Sequence, residues 1–283
     1  MARLEINGTT FDYEERGKGT PVLLIHGTLE DRRSWTQQLE PFSKSFRTIA
    51  YSRRYHFPNP VPCGDETDYS PTLHARDLGA VLDSLKVEQA HLIGASYGAY
   101  VALVYASHHL ERVASLVLGE PPIVPWLRKN PETAPMADAF YEHAWEPVAE
   151  AFQCGKTEAA VEAFVDGVSG KGAFARTSPR TREILMQNAP ALRVEVQSPE
   201  YFQPLADELV RQLTIPVLLL GGENSPVHFG KILDRLETLL PHPTRVLIPN
   251  AGHAMNLWNA PFYNETVLNF CAGWNESSVN TAR

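Results

Sequence analysis

The segment Gly-Ala-Ser-Tyr-Gly at residues 94–98 limits the possible folds of this chain more than any other feature. An apolar run at 90–93 precedes it and an apolar stretch at 99–106 follows it, which predicts a strand, a sharp turn and a helix. Glycines on both sides of Ser96 let strand and helix pass close together, and the turn would hold Ser96 strained with its hydroxyl exposed. Taken alone, the motif is also compatible with an ordinary turn, because Gly and Ser are common turn residues.

Strand and helix patterns alternate along the first part of the chain. Continuous apolar runs at 21–25 and 113–118 are typical of strands that are buried on both faces. Between them, residues 73–85 carry apolar side chains at helical spacing. Such alternation predicts a parallel sheet that is covered by helices on both faces.

The pattern changes in the second part of the chain. It is helical without a convincing strand until buried-strand patterns return at 215–220. We therefore predict an α/β core formed by residues 1–121 and 213–275, a helical lid inserted at 122–212, and a flexible tail at 276–283.

The composition argues against several classes of function. The 283 residues carry a formal net charge of -8, from 25 basic and 33 acidic residues, and the Lys and Arg residues form no clustered stripe. Such an acidic chain is not expected to bind nucleic acid. No apolar run is long enough to cross a bilayer, so we expect no membrane association. The sequence gives no signal for an oligomeric state.

Cysteine usage and missing motifs narrow the expectations further. Cys63, Cys154 and Cys271 are odd in number and widely spaced, which fits neither a disulfide framework nor a zinc site. We expect a reducing compartment and, without a signal-peptide core at the N-terminus, a cytoplasmic protein. The sequence contains neither a metal-binding His motif nor a Gly-rich phosphate or dinucleotide loop, so no metal or cofactor is expected.

Three segments in a fixed order resemble the α/β-hydrolase fold family. They are His-Gly at 26–27 after the third predicted strand, the Gly-x-Ser-x-Gly segment described above, and Ala-Gly-His at 251–253 after the last predicted strand. Their order fits the family order of nucleophile, acid and histidine. The resemblance implies a mostly parallel eight-stranded sheet flanked by helices with an inserted helical lid. It also implies that Ser96 is a nucleophile and His253 its general base.

The acid that would orient His253 is less obvious. Most members of the family carry an Asp shortly after the seventh strand, and Ser225 stands at that position here. A serine cannot supply the negative charge that stabilises an imidazolium ion. Two glutamates are candidates: Glu223 lies nearby, whereas Glu120 lies at the end of the sixth strand, where haloalkane dehalogenases and zearalenone lactonases place their acid. We favour Glu120, because the following prolines would hold it rigidly, and keep Glu223 as the alternative.

The resemblance also implies an oxyanion hole and a substrate pocket. The backbone N–H groups of Thr28 and Tyr97 would stabilise negative charge on an acyl oxygen, and His26 would have a structural role. Aromatic residues of the loop after the fourth strand and of the lid would line an apolar pocket, or would pack under the lid instead. These residues are Tyr55, Phe57, Trp126, Phe140, Tyr141 and Trp145.

These features predict a serine hydrolase that cleaves a carboxylic ester or lactone of a small, apolar substrate through an acyl-enzyme. Haloalkane dehalogenases and epoxide hydrolases attack with a carboxylate, so Ser96 argues against both. Two alternatives remain open at this point. One is hydrolysis of a carbon–carbon bond, and the other is a non-hydrolytic role as a cofactor-free oxygenase, a perhydrolase or a small-molecule receptor.

Overall fold

The structure, a computed structural model, describes residues 2–6, 8–61 and 68–280. Eight strands in these ranges form one sheet. The strands are β1 (Ala2–Ile6), β2 (Thr9–Arg16), β3 (Pro21–Ile25), β4 (Arg47–Tyr51), β5 (Ala90–Ala95), β6 (Val113–Gly119), β7 (Val217–Gly222) and β8 (Pro243–Ile248).

The sheet is antiparallel at one edge and parallel elsewhere. Its strand order is β1-β2-β4-β3-β5-β6-β7-β8, with β2 antiparallel to both β1 and β4 and all other neighbours parallel. The predicted mostly parallel eight-stranded sheet is therefore confirmed. Because β3, β5, β6, β7 and β8 run in one direction, their carboxyl ends share one edge, where ligands bind in open α/β sheets.

Helices cover both faces of this sheet. They are α1 (Thr36–Ser43), α2 (Pro71–Ser84), α3 (Tyr97–Ala106), α4 (Val124–Leu127), α5 (Ala134–Phe140), α6 (Glu146–Gln153), α7 (Thr157–Ser169), α8 (Pro179–Gln197), α9 (Asp207–Arg211), α10 (Val227–Leu239), α11 (Met255–Trp258) and α12 (Ala260–Asn280). Alternate residues of β3 point to opposite sides: Leu23 packs with residues of α2 and α3, and Leu24 packs with residues of α1 and α12. Burial on both faces explains why the strand is apolar throughout.

Helices α4 to α9 lie between β6 and β7 and form a helical insertion, defined here as residues 122–212. A π-helical turn, Tyr141–Trp145, connects α5 to α6. Apolar side chains of α7, among them Val161 and Phe164, pack into the same core as α2 and α3. The insertion therefore packs against the sheet domain through buried apolar side chains.

The last helix extends into the segment that was predicted as a tail. Helix α12 continues to Asn280, so residues 276–280 are helical, and residues 281–283 lie outside the described part of the chain. Cys63 also lies outside it, whereas Cys154 is an exposed and Cys271 a buried free thiol. Within residues 2–6, 8–61 and 68–280, no helix combines the length and the apolar character that a membrane span requires.

Candidate active site

Ser96 occupies the turn between β5 and α3. Its backbone has φ +50° and ψ -122°, a conformation that residues with a side chain rarely adopt. The flanking glycines are required by close contacts. A Cβ atom on Gly94 would lie 2.4 Å from Ala99 Cα, and one on Gly98 would lie 2.1 Å from the Ile25 carbonyl oxygen. Residues 94–98 therefore fix the Ser96 side chain where strand and helix meet.

The ring of His253 connects Ser96 to Glu120. The distance between His253 Nε2 and Ser96 Oγ is 2.9 Å, and the distance between His253 Nδ1 and Glu120 Oε2 is 2.7 Å. A carboxylate only accepts hydrogen bonds, so Nδ1 carries the proton and Nε2 accepts from the Ser96 hydroxyl. The structure thus brings together the three residues that were predicted as nucleophile, base and acid.

Glu120 is held firmly in this arrangement. It is the residue after β6, its backbone has φ +45°, and only 1% of its surface is exposed. Its Oε1 atom accepts the N–H of Gly222 at 2.8 Å, which leaves Oε2 directed to His253. Two oxygens with separate partners restrict the rotation of the carboxylate.

The alternative acid takes part in a different contact. Glu223 Oε2 accepts the backbone N–H of Asn250 at 2.8 Å and so connects the loops after β7 and β8. Ser225, at the position where most family members carry the acid, donates its backbone N–H to Gly222. Neither side chain is a partner of His253, whose two ring nitrogens contact Ser96 and Glu120.

Two residues of α10 around His253 were missed by the sequence analysis. Phe229 stacks on the imidazole ring, with ring centroids 4.0 Å apart and 12° between the planes. Burial lowers the pKa of the neighbouring His228 to about 4, and the nearby His253 contributes to this shift. Phe229 restricts the tilt of the imidazole ring. No chemical signal in the sequence marks it, because it is one apolar residue of an amphipathic helix.

The loop after β3 passes directly beside Ser96. A Cβ atom on Gly27 would lie 3.0 Å from Ser96 Cβ, so a larger residue would collide there. The next residue, Thr28, forms a hydrogen bond between its hydroxyl and that of Tyr201, and it borders the same cavity as Ser96. Tyr97 is the first residue of α3, so its N–H has no intrahelical acceptor. These two residues are the predicted oxyanion-hole donors.

Arg53 and His26 hold the loop after β3 in place through hydrogen bonds. His26 Nε2 accepts the backbone N–H of Arg53 at 2.8 Å, and the Arg53 guanidinium donates to the carbonyl oxygens of His26 and Gly27 at 3.0 Å each. Burial and the nearby His56 hold the pKa of His26 well below its usual value. The His26 ring is therefore neutral and engaged, in agreement with a structural role.

A buried carboxylate of the helical insertion lies beside Arg53. Glu195, on α8, is fully buried, with one oxygen 3.7 Å from Arg53 Nη2 and 3.3 Å from His56 Nε2. Burial raises the pKa of Glu195 to about 7. Sequence analysis gave no indication of this contact, because a glutamate on a helix is usually exposed.

Comparison with known proteins is consistent with this geometry. A family model of the alpha/beta hydrolase fold matches residues 20–260. The chain belongs to this family. Its relatives include epoxide hydrolase 3 of Xenopus tropicalis, with 24% identity over 95% of the chain and 76% of the relative. Another is the uncharacterized carboxylesterase nap of Bacillus subtilis (strain 168), with 27% identity over 88% of the chain and 78% of the relative. The enol-lactonase of Burkholderia xenovorans LB400 has the same fold, with a TM-score of 0.76, 18% identity, and coverage of 96% of this chain and 100% of that one.

A cavity of about 150 Å³ in this α/β-hydrolase-fold protein contains Ser96 and His253 in its wall. The loop after β3 forms one side, and His253, Ala254 and helix α11 form another. The helical insertion closes the cavity with Phe164, Val165, Val168, Ser169, Ala173, Thr177, Thr181 and Leu185. A smaller extension also borders Ser96. Its aromatic lining consists of Phe140, Trp145, Phe164, Tyr201, Phe202 and Phe229.

The predicted pocket residues need correction. Phe140 and Trp145 line the smaller extension, but Tyr55, Phe57, Trp126 and Tyr141 line neither cavity. Trp126 donates its indole N–H to the carbonyl oxygen of Leu205 and borders a separate groove of about 650 Å³.

The other three residues have protein partners away from Ser96. Tyr55 packs against Tyr69, and the Arg33 guanidinium lies over the Phe57 ring. The edge of the Tyr141 ring packs against Phe202 on the outer side of the aromatic cluster. In its described residues, 52–61 and 68–70, the loop after β4 therefore packs against the rest of the protein and lines neither cavity.

Proposed function

We propose that this protein is a serine hydrolase that cleaves a carboxylic ester or lactone through an acyl-enzyme on Ser96. The observation that carries the proposal is the continuous pair of hydrogen bonds, 2.9 Å and 2.7 Å, that joins Ser96 through His253 to Glu120. A serine hydroxyl is a poor nucleophile at neutral pH unless a base within hydrogen-bond distance removes its proton.

In the first half of the reaction, Ser96 Oγ attacks the carbonyl carbon while its proton moves to His253 Nε2. Glu120 stabilises the resulting imidazolium through Nδ1, and the imidazolium then gives its proton to the leaving alkoxide. In the second half, His253 removes a proton from water, which attacks the acyl-enzyme, and the imidazolium returns that proton to Ser96 Oγ as the Ser96 ester bond breaks and the acid leaves. The N–H groups of Tyr97 and Thr28 would stabilise the oxyanion, at about 3 kcal/mol for each donor.

The helical insertion would act as the lid of this site. The support is its contribution of both apolar and hydroxyl side chains to the cavity that contains Ser96. A volume of about 150 Å³ favours a small acyl or alcohol group over a long chain. Closure by α7 and α8 would also exclude bulk water from the first half of the reaction.

A fluorophosphonate probe followed by intact-mass analysis tests the proposal. We expect stoichiometric labelling at Ser96, turnover of short p-nitrophenyl esters or of lactones, and loss of both in Ser96→Ala. Labelling of Ser96 without turnover of any ester or lactone would contradict the proposed hydrolysis. It would favour a receptor or a non-hydrolytic enzyme instead.

A further inference from the structure

We infer that Glu30 is a specificity-determining residue, which selects substrates with an ammonium group and excludes substrates with a carboxylate in the cavity beside Ser96. The inference rests on the proposed hydrolysis, and it concerns the class of substrate rather than the reaction. Glu30 lies on the loop after β3 and lines the same cavity as Ser96 and His253.

The charges around the cavity motivate this inference. Among the described residues that line it, Glu30 and His253 are the ionisable ones, and neither Lys nor Arg occurs there. The remaining lining is apolar or carries hydroxyl and amide groups, for example Val168, Thr181 and Asn256. A substrate in this cavity therefore meets the carboxylate of Glu30 without a Lys or Arg among the lining residues to offset it.

Glu30 has little compensation from the protein itself. Its Oε2 atom accepts the backbone N–H of Gly27 at 2.9 Å, and no ion pair involves Glu30 within the described part of the chain. Arg53, whose charge acts on Glu30, already donates to two carbonyl oxygens and to Tyr69. A carboxylate can accept several hydrogen bonds, so Glu30 has acceptor capacity left for a ligand.

Desolvation makes this arrangement selective. Burial raises the pKa of Glu30, because a half-buried carboxylate without a cationic partner is costly. An ammonium group of the substrate would relieve that cost, whereas a carboxylate would add repulsion. Two unit charges about 6 to 10 Å apart near a protein surface change a binding or rate constant by about 10- to 100-fold.

A purely structural role for Glu30 predicts different behaviour. Its contact with Gly27 holds the loop that carries Thr28, and a neutral acceptor of the same shape would do this equally well. Glu30→Gln separates the two roles, because the amide oxygen still accepts the Gly27 N–H while the charge is lost. Glu142→Gln is the matched control, since Glu142 is exposed on the insertion and lines neither cavity at Ser96.

The experiment compares esters of similar size and different charge. One series carries the charge on the acyl group: methyl 3-aminopropanoate, methyl butanoate and monomethyl succinate. A second carries it on the alcohol: acetylcholine and its neutral isostere 3,3-dimethylbutyl acetate. In the wild type, we expect kcat/KM to favour the ammonium ester over the anionic ester in the first series, or acetylcholine over its neutral isostere in the second.

We expect Glu30→Gln to lower the ammonium-to-anion ratio of kcat/KM by about 10- to 100-fold and Glu142→Gln to leave it unchanged. An unchanged ratio in Glu30→Gln, or a wild type that prefers the anionic ester, would overturn the inference. Inactivation rates with neutral and quaternary-ammonium organophosphonates give the corresponding ammonium-to-neutral ratio without turnover. These rates distinguish a failure of this inference from a failure of the proposed hydrolysis. The wild-type ratio tests the inference even if a variant does not fold.

Discussion

The carboxyl edge of the sheet and the helical insertion contribute to the same site by different means. At the sheet edge, Ser96 and Glu120 each follow a buried strand and have positive φ angles of +50° and +45°. Their side chains are placed by the backbone and by three hydrogen bonds to defined partners. The insertion instead contributes through packing, with Phe164 and Trp145 placed by their neighbours. We therefore expect substitutions at the edge to affect the chemical step, and substitutions in the insertion to affect substrate choice or stability.

The largest effect is expected at Ser96 and His253. Ser96→Ala or His253→Ala should reduce kcat for ester hydrolysis by about a millionfold, because nucleophile and base act as one unit. The measurement is steady-state hydrolysis, with thermal unfolding to show that the variant is folded. Ser225→Ala is the matched control and should keep near wild-type kcat. Substantial activity in Ser96→Ala would contradict the assignment of the nucleophile.

Glu120→Gln should have the next largest effect. The amide keeps the shape of the side chain but cannot stabilise an imidazolium, and we expect kcat to fall by about ten-thousandfold. Glu223→Gln removes a carboxylate that contacts Asn250 and should leave kcat close to the wild-type value. The reverse result, with Glu120→Gln active and Glu223→Gln inactive, would show that the acid follows β7 and that the acid assignment is wrong.

The contrast between the two regions also explains what could be predicted from the sequence. The positions of Ser96 and His253 follow from short motifs at strand ends, where local sequence fixes the backbone. Glu120 could be proposed because Ser225 occupies the position of the usual acid. Another carboxylate was therefore needed, and Glu120 stands directly before two prolines. The alternation of apolar strand patterns and helical patterns likewise predicted the sheet, because the sheet is the part of the fold with the clearest hydrophobic periodicity in the sequence.

The pocket could not be predicted in the same way. The helical pattern of the predicted lid gives no sign of the π-helical turn at Tyr141–Trp145, which changes the direction in which later side chains point. Trp145 then reaches the extension beside Ser96 while Tyr141 does not, although the two would share a face of a regular α-helix. Phe229, Glu195 and Glu30 have no motif, since their positions depend on tertiary packing.

A third prediction tests whether the insertion and the core are coupled by charge. The pKa of Glu195 is about 7 in the folded protein, above its ordinary value of 4.5, so the folded state binds an extra proton between these values. The stability from this carboxyl is present below pH 4.5 and is lost as the pH rises toward 7. Relative to Glu195→Gln, the free energy of unfolding of the wild type should fall by up to about 3 kcal/mol across this window.

Denaturant unfolding of the wild type and Glu195→Gln at several pH values measures this difference, in which other titrating groups cancel. Glu183→Gln, an exposed position on the same helix, is the control and should give a difference that does not vary with pH. A pH-independent difference for Glu195→Gln would mean that Arg53 keeps the Glu195 carboxylate ionised throughout. The contact would then be a permanent ion pair between the insertion and the core.

The smallest effect is expected from the aromatic lining of the insertion. Phe164 borders both the main cavity and its extension, so Phe164→Ala should join them and admit a longer acyl chain. We expect the ratio of kcat/KM for octanoate to that for acetate p-nitrophenyl esters to rise about tenfold, the change that a few methylene contacts produce in an apolar pocket. Phe57→Ala is the matched control: Phe57 was also predicted to line the pocket, but it is 36% exposed and lies under Arg33. Because both substitutions remove the same atoms, an equal change in the two variants would mean that the chain-length preference does not come from the insertion. A change confined to Phe164→Ala would instead assign substrate choice to packing within the insertion, in contrast to the hydrogen-bonded edge that carries the reaction.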